Sequence, residues 1–363
     1  MNKPIEIVYV QLGSAKAEHL IKNIGLVHKL FPRILINCVV YNNSDIHKSL
    51  PRYVNAIKFK PTERVENMLQ MKSIDLEFRQ RFWRYSFERL LALHKAHSDR
   101  PLSSLLHIES DVLVMPSFPL TNFLRIQKVC WLPCDVSKDS ASLMYFPNLK
   151  RTQEFNTDLN NYFVNSKQVN DMEALHELRK QFPNKYRLLP TSNSNFTKLS
   201  NLEIDSASNS FSHFDGIFDP APIGMWLTGI DPRNNFGVTN YFASKKLSLL
   251  GMIQSPYAYP LYFVNNKSLI FKNGSKVLPV YNLHIHSKSS KIFSNSWKSE
   301  IRRLAKLSLK NQPYSEFSIR ILIELLVSNY SKKSLTQYLY NSPLIINIRK
   351  TRFLRRIFRK PLF

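Results

Sequence analysis

Two carboxylates, Glu109 and Asp111, stand two residues apart in an apolar run that begins at Leu105 and ends before Pro116. The run is short, continuous and rich in Val, Ile and Leu, which predicts one buried strand that the proline terminates. Side chains at i and i+2 of a strand share a face, and buried carboxylates need a cationic partner. The pair therefore indicates a site for a hard divalent cation such as Mg2+ or Mn2+, which prefers oxygen ligands. An edge strand with two solvated acids is the alternative.

The elements expected to position this pair belong to an α/β chain. Residues 5–10 and 34–41 are predicted strands, and apolar residues at helical spacing predict a helix over 17–30 between them. Strand–helix–strand at this spacing indicates a parallel sheet, where ligands gather outside the carboxyl ends of the strands. Three residues stand at such ends, namely Gly13, Asn42 and Asp45. The alternative is that they are ordinary loop residues without a ligand.

A further cationic group precedes the acidic strand. Arg89 lies in an aromatic-rich stretch of residues 62–99, a mostly helical region by its pattern, on a helix face that otherwise packs. A guanidinium on such a face needs an anionic partner. Phosphate would serve, and so would a salt bridge to Glu109 or Asp111. Further along, one helix is predicted over 171–181, while the rest of 136–210 is polar and carries no clear pattern.

The composition indicates a globular chain of 363 residues with 44% hydrophobic residues, enough for one large or two modest domains. The chain contains no glycine-rich phosphate loop, and its 8 glycines are few. Three scattered cysteines indicate buried thiols in a reducing compartment rather than a zinc site. The N-terminal residues lead straight into a strand and no apolar run reaches 18 residues, so neither a signal peptide nor a membrane-spanning helix is expected.

The net charge of +25 is unevenly distributed. From Ser287 onward there are 17 Lys and Arg against 3 acids, which gives +14, and the remaining +11 belongs to the preceding residues. Residues 345–360 hold seven basic residues, no acid and an apolar face, a pattern typical of an amphipathic helix on an anionic membrane. A disordered, solubilising tail is the alternative.

The order of three motifs resembles the GT-A glycosyltransferases. Glu109-Ser110-Asp111 is similar to the family's DxD motif, and Trp83-x2-Ser86-x2-Arg89 before it is similar to bacterial members. An Asp- and Gly-rich segment, residues 214–234, and then His284-Ile-His286-Ser-Lys288 follow. The resemblance spans about residues 5–290. It implies a Rossmann-type, mostly parallel sheet flanked by helices, a divalent metal on the donor diphosphate, and a nucleotide-sugar donor.

The resemblance also implies roles for individual residues. One histidine, His286 ahead of His284, would join Glu109 and Asp111 as a metal ligand, and imidazole suits Mn2+ better than Mg2+. An acid of the second segment would deprotonate the acceptor hydroxyl, Asp219 first and Asp231 next. Helix capping by Asp219 and a turn at Asp231 are the alternatives. The donor side would comprise Gly13, Asn42, Asp45, Arg89, Ser110 and Lys288, and the acceptor side Gly224, Trp226 and Gly229.

We therefore predict a GT-A-like catalytic domain over residues 1–290, with a donor half at about 1–135 and an acceptor half at about 136–290. A helical basic extension follows over 291–363. The predicted function is metal-dependent transfer of a sugar from a UDP- or GDP-sugar to a glycan or lipid-linked acceptor in surface polysaccharide synthesis. We expect a cytoplasmic protein at the inner face of the membrane. The rival class is a nucleic-acid-binding protein or metal-dependent nuclease, although no nucleic-acid module is apparent and nucleic acid is not an expected partner.

Overall fold

The computed structural model describes residues 4–13, 18–61, 82–134, 138–166, 170–193, 210–228, 261–287 and 292–310. The strands within these ranges are β1 (Ile5–Gln11), β2 (Ile36–Tyr41), β3 (Val54–Phe59), β4 (Ser104–Ile108), β5 (Val112–Val114), β6 (Val129–Pro133), β7 (Asp139–Phe146), β8 (Tyr186–Leu188), β9 (Leu261–Val264), β10 (Ser268–Asn273), β11 (Lys276–Val280) and β12 (Asn282–His284). The helices are α1 (Glu18–Leu30), α2 (Ile46–Ser49), α3 (Phe82–Asp99), α4 (Leu149–Asn165), α5 (Asp171–Gln181), α6 (Phe211–Phe214), α7 (Pro222–Thr228) and α8 (Trp297–Lys310), with a 3-10 helix at Leu120–Arg125.

Seven of the described strands form the main sheet, in the order β3-β2-β1-β4-β7-β6-β8. All pairs are parallel except those that β7 makes with β4 and β6, so β7 alone runs against the others. The strand–helix–strand unit predicted at the N-terminus is present, because α1 connects the parallel strands β1 and β2. The predicted fold class, a mostly parallel α/β sheet flanked by helices, is confirmed.

Alternating side chains of the main sheet pack into two cores, one on each face. On one face, residues such as Val8, Val39 and Leu105 contact the helices α3, α4 and α5. On the other face, the neighbouring residues of the same strands pack against α1, the 3-10 helix and α6. Because both faces are covered, the central strands read as continuous apolar runs, as expected for a parallel sheet.

A third core joins the C-terminal elements to the rest of the protein. The antiparallel sheet β11-β10-β9 packs with α7 and α8 around buried residues that include Phe263, Trp297 and Ile301. Helix α8 belongs to the segment for which we expected a separate extension, and it packs on the inner face of this sheet. The domain boundary at 290 stays a prediction, and residues 311–363, with the basic run 345–360, lie outside the described part of the chain.

The acidic run is not the single strand that its composition predicts. Strand β4 ends at Ile108, and a turn closed by a hydrogen bond from Val112 N to Glu109 O (3.0 Å) follows it. The next strand, β5, leaves the main sheet and pairs with β12. Ser and Asp favour turns because their side chains can replace backbone hydrogen-bond partners, so Ser110 and Asp111 divide the run. Glu109 and Asp111 therefore flank a turn.

Two expectations from composition can be compared with the described residues. All three cysteines are buried and none forms a disulfide bond, and burial raises the pKa of the Cys38 and Cys130 thiols to about 12. None of the helices within the described ranges is both long enough and apolar enough to cross a bilayer.

Candidate metal centre and adjoining pocket

The turn after β4 is held from helix α1. The side-chain amide of Asn23 donates to the carbonyl oxygens of Ser110 (3.1 Å) and Val112 (2.8 Å), and Nε2 of His19 lies 3.0 Å from the Ser110 hydroxyl. Asn23 is fully buried on the apolar face of α1. We did not predict its role, but the signal was available, because an amide on a packed helix face needs hydrogen-bond partners. Ser110, predicted on the donor side, here contacts His19.

Strand β12 brings His284 to this turn. It pairs antiparallel with β5, with His284 opposite Val112. Nε2 of His284 consequently lies 3.5 Å from Oε2 of Glu109 and 3.5 Å from Oδ1 of Asp111. One ligand atom of each of the three side chains falls within 4.8 Å of the others. Each side chain keeps a little exposure, 16% for Glu109, 13% for Asp111 and 10% for His284, so that solvent reaches the cluster.

The orientation of the His284 ring suits a metal ligand. Its Nδ1 lies 2.5 Å from the carbonyl oxygen of Pro220, which can only accept, so Nδ1 carries a proton and Nε2 is the nitrogen that faces the carboxylates, where a cation would take its lone pair in place of a proton. Burial lowers the pKa of His284, but the charge and hydrogen bond of Asp111, with help from Pro220 and Asp219, raise it overall. Two carboxylates and one imidazole are a donor set that fits Mn2+, and Mg2+ less well.

His286, which we ranked ahead of His284, is placed differently. Strand β12 ends at His284, and a hydrogen bond from His286 N to His284 O (3.1 Å) turns the chain, so the strand alternation does not continue. The His286 ring lies against that of His284, with ring centroids 4.2 Å apart and the ring planes tilted by 38°. Among the described residues, the group of side chains whose ligand atoms lie close enough to hold one ion contains His284 and not His286.

Arg89 joins the cluster to helix α5. Its Nη1 forms an ion pair with Oε1 of Glu109, and its Nη2 lies 2.9 Å from Oδ2 of Asp171, the first residue of α5. Glu109 thus directs one oxygen to Arg89 and the other to His284. The sequence left two kinds of partner for Arg89, a phosphate group or one of the two acids. The structure contains the salt bridge to Glu109, and contact with a diphosphate stays a prediction. Asp171 was not foreseen as part of this arrangement.

Asp219, our first choice for a catalytic base, is fully buried. Its oxygens accept hydrogen bonds from the backbone N–H groups of Ala221, Ile223, Gly224 and His284 at 2.7–3.1 Å. Burial raises the pKa of Asp219 to about 6, although these N–H groups lower it. The contacts are those of the helix-capping alternative, since they satisfy the first turn of α7. Its use as a base stays a prediction.

Helix α7 lies directly against the backbone of β12. A Cβ at Gly224 would stand 2.0 Å from the carbonyl oxygen of His284, so only glycine permits this approach. Packing therefore accounts for Gly224, and its predicted contact with an acceptor stays a prediction. The side chain of Trp226 lies outside the described part of the structure, and so do Gly229, Asp231 and Lys288.

A pocket of about 820 Å³ opens at the carboxyl ends of β1, β2 and β3. Gly13, Asn42 and Asp45, which we predicted on the donor side, all line it. Lys60 and Arg84 also line it, and Nε of Arg84 forms a salt bridge with Oε1 of Glu88 (2.9 Å). Glu109 follows β4, the neighbour of β1 in the sheet, so the cluster and the pocket share one edge of the sheet. The volume is within the usual range for small-molecule sites.

No protein-family model and no curated protein matches the chain. Solved structures that resemble it are glycosyltransferases. The galactosyltransferase LgtC, in complex with donor and acceptor sugar analogs, is 14% identical, and the match covers 51% of this chain and 73% of that one at a TM-score of 0.38. GlyE of Streptococcus pneumoniae is 13% identical over 59% of this chain and 50% of that one at 0.34. Mouse xyloside xylosyltransferase 1 is 10% identical over 58% and 93% at 0.31. Because these identities and TM-scores are low, the activity proposed below rests on the geometry of the site.

Proposed function

We propose that the chain is a divalent-metal-dependent glycosyltransferase that moves a sugar from a nucleotide-sugar donor to a hydroxyl of a glycan or glycolipid. The observation that carries this proposal is the convergence of Glu109, Asp111 and His284 at the sheet edge where the 820 Å³ pocket opens. We also propose a role in surface polysaccharide synthesis, in the cytoplasm and at the inner face of the membrane, with the basic tail as the membrane contact. The motif order along the sequence supports that finer assignment.

The cluster offers a cation two carboxylates and one imidazole. A bound Mn2+ or Mg2+ would offset the negative charge that develops on a leaving diphosphate. The protein's own contribution is to hold the ligands in place. Pro220 fixes the ring of His284, and Arg89 offsets part of the charge that Glu109 and Asp111 place close together. Asn23 keeps the turn between the two acids from opening.

The pocket supports a nucleotide as the partner of this site. The aromatic rings of Tyr41 and Tyr85 stand there with centroids 5.9 Å apart, next to the polar side chains of Asn42 and Asp45. Aromatic rings, amides and a carboxylate suit a nucleoside, and the positive charge of Lys60, which also lines the pocket, suits phosphate. Neither feature requires a glycine-rich phosphate loop.

Nucleotide binding tests the proposal. We expect UDP or GDP to raise the melting temperature in the presence of Mn2+ and to do little after chelation, because the cation would bridge the diphosphate to Asp111. The variant Asp111→Asn should lose this stabilisation and any metal-dependent hydrolysis of the donor. Glu177→Gln, on an exposed face of α5, is the matched control and should keep both.

Two outcomes would contradict the assignment. Unchanged Mn2+-dependent stabilisation in Asp111→Asn would remove the proposed metal site. Stabilisation by DNA or RNA, without nucleotide or metal, would instead favour the rival nucleic-acid class. For the proposed membrane contact, a truncation lacking residues 345–363 should leave the membrane fraction, and a truncated chain that still sediments with membranes would contradict that part.

A further inference from the structure

A buried carboxylate is bonded to two residues of the pocket wall. Glu88 lies in the first half of α3 and is fully buried. The described residues that line the pocket do not include it, but each of its oxygens binds a side chain that does. Oε1 accepts from Nε of Arg84 (2.9 Å), and Oε2 accepts from the hydroxyl of Tyr41. Glu88 thus connects two parts of the wall that belong to different elements, α3 and the end of β2.

Packing alone does not explain an acid at this position. Taking a carboxylate out of water is costly, and an apolar side chain of similar size is often at least as stable in such a place. Other buried residues of α3, such as Phe87, Leu90 and Leu93, are indeed apolar. Glu88 therefore has a role that an apolar residue could not perform, which is to hold two polar side chains of the pocket wall.

The ring of Tyr41 is held on three sides. The ring of Phe59 packs nearly parallel to it, with centroids 6.3 Å apart and planes inclined by 21°, and the ring of Tyr85 meets it at 63° and 5.9 Å. Glu88 binds the hydroxyl. Burial, followed by the hydrogen bond and the charge of Glu88, raises the pKa of Tyr41, so the hydroxyl keeps its proton and donates it to Glu88. Tyr41 consequently presents mainly its ring to a ligand in the pocket.

Arg84 makes the buried charge compatible with an anionic ligand. A carboxylate without a counter-charge behind the wall would repel the phosphates of a nucleotide. The guanidinium of Arg84, four residues before Glu88 on the same helix, lies at salt-bridge distance and offsets this charge. The pair therefore holds Tyr41 without adding net negative charge to the pocket.

We propose that Glu88 is a positioning residue of the nucleotide pocket, which fixes the ring of Tyr41 as the platform for the nucleobase. Aromatic rings stack on bases of every kind, and a platform that is ordered before the ligand arrives avoids the entropy cost of ordering it on binding. The next residue, Arg89, binds Glu109, so α3 positions the pocket through one residue and the metal cluster through the next. The proposal rests on the proposed function and adds to it the residue that organises the pocket.

Ligand binding to Glu88→Gln in the full-length chain tests this role. Glutamine has nearly the same shape but offers an acceptor at only one of the two oxygen positions. In the presence of Mn2+, we expect calorimetry to show a rise of about two- to tenfold in the Kd of UDP and of GDP, which is the cost of ordering one released side chain. Inorganic pyrophosphate with Mn2+ should bind as tightly as before, because it has no base to stack on Tyr41. A general loosening of the fold would weaken both kinds of ligand.

Asp99→Asn is the matched control. Asp99 forms an ion pair with Lys95 (2.5 Å) at the same i, i+4 spacing on α3, but this pair is exposed to solvent and neither residue lines the pocket. The variant should bind UDP, GDP and pyrophosphate as the unaltered protein does.

A double-mutant cycle identifies the residue through which Glu88 acts. Tyr41→Phe removes the hydroxyl and keeps the ring, so it should weaken the binding of UDP about as much as Glu88→Gln. Because the two substitutions break one and the same contact, the combined variant should bind UDP no more weakly than either single variant. If Glu88→Gln does not fold, the comparison of UDP with pyrophosphate in Tyr41→Phe decides the question by itself.

The proposal is overturned if Glu88→Gln binds UDP and GDP as tightly as the unaltered protein, if its pyrophosphate binding falls by the same factor, or if the two substitutions have independent effects. In each of these cases the unaltered protein still binds a nucleotide with Mn2+, so the proposed function remains. If the unaltered protein binds neither nucleotide, the proposed function fails, and the role of Glu88 fails with it.

Discussion

The contact between α7 and β12 gives a sharp prediction for Gly224→Ala. A Cβ at this position would stand 2.0 Å from O, 2.7 Å from C and 2.9 Å from N of His284, all of them backbone atoms. Backbone atoms of a paired strand cannot rotate aside, so either α7 or β12 must move as a unit. The movement would also strain the hydrogen bond from Gly224 N to Asp219 (2.7 Å) and displace His284 from the two carboxylates.

The expected magnitude follows from two opposing terms. Alanine in a helix is favoured over glycine by about 1 kcal/mol. Overpacking costs about 1–3 kcal/mol where side chains can adjust and more where they cannot, so a rigid clash should exceed the upper value. The free energy of unfolding should therefore fall by about 2 kcal/mol or more, which for a domain of this size lowers the melting temperature by roughly 4–8 °C.

Gly25→Ala is the matched control for this measurement. Gly25 lies in α1, and its Cβ would meet only the Tyr53 hydroxyl at 3.8 Å, an ordinary contact. It should raise the free energy of unfolding by about 0.5–1 kcal/mol through helix propensity alone. Urea unfolding of both variants gives the comparison, and Mn2+ titration reports on the cluster. If Gly224→Ala is as stable as Gly25→Ala and binds Mn2+ normally, the packing of α7 on β12 is not as described.

Three further predictions concern buried carboxylates and thiols. Asp219→Asn turns an amide N–H2 towards backbone N–H donors, so it should lower the free energy of unfolding by about 2–4 kcal/mol, whereas a purely catalytic acid would change activity at unaltered stability. Asp171→Asn leaves the Arg89 guanidinium with a weaker partner and should cost about 1–3 kcal/mol in urea unfolding, against less than about 0.5 kcal/mol for Glu177→Gln on the same helix. A thiol reagent should titrate none of the three cysteines in the native protein and all of them in denaturant, and fast reaction in the native state would contradict their burial.

Local patterns in the sequence predicted the elements that depend on local spacing. The unit β1–α1–β2 and the helix α5 lie within a few residues of their predicted bounds, because apolar residues recur there with a clear period. Helix α4 was missed although Thr152, Phe155, Leu159 and Phe163 form its buried face at spacings of 3, 4 and 4. Its remaining residues are polar and rich in asparagine, which concealed that period.

Strand β7 was missed for a different reason. It begins with Asp139, a fully buried residue whose carboxylate accepts from Trp131 Nε1 (2.8 Å) and Arg179 Nε (2.8 Å). A strand that opens with an acid and alternates serines looks like a loop unless those partners are known. Both partners come from other elements, β6 and α5, so no local pattern could reveal them.

The candidate metal site was predicted in its residue types but not in its geometry, and the reason is strand pairing over a long sequence distance. His284 reaches the acids only because β12 pairs with β5, about 170 residues earlier in the chain. Within that pair, the register of His284 opposite Val112 decides which ring faces the carboxylates, because a shift by one residue would turn His284 to the other side.

The side-chain hydrogen bonds of Asn282 stabilise this register. Its side chain accepts from Asp219 N (3.1 Å) and donates to Asp219 O (2.9 Å), which imitates a pair of strand hydrogen bonds. Asp219 in turn accepts from the backbone N–H of His284. Asn282 at the start of β12 and His284 at its end are thus both hydrogen-bonded to Asp219. A register shift would leave these buried polar groups unpaired. The position of His284 is therefore set by hydrogen bonds to its own strand from groups far away in the sequence, which motif spacing cannot reveal, and the ranking of His286 ahead of His284 as a metal ligand stays a prediction.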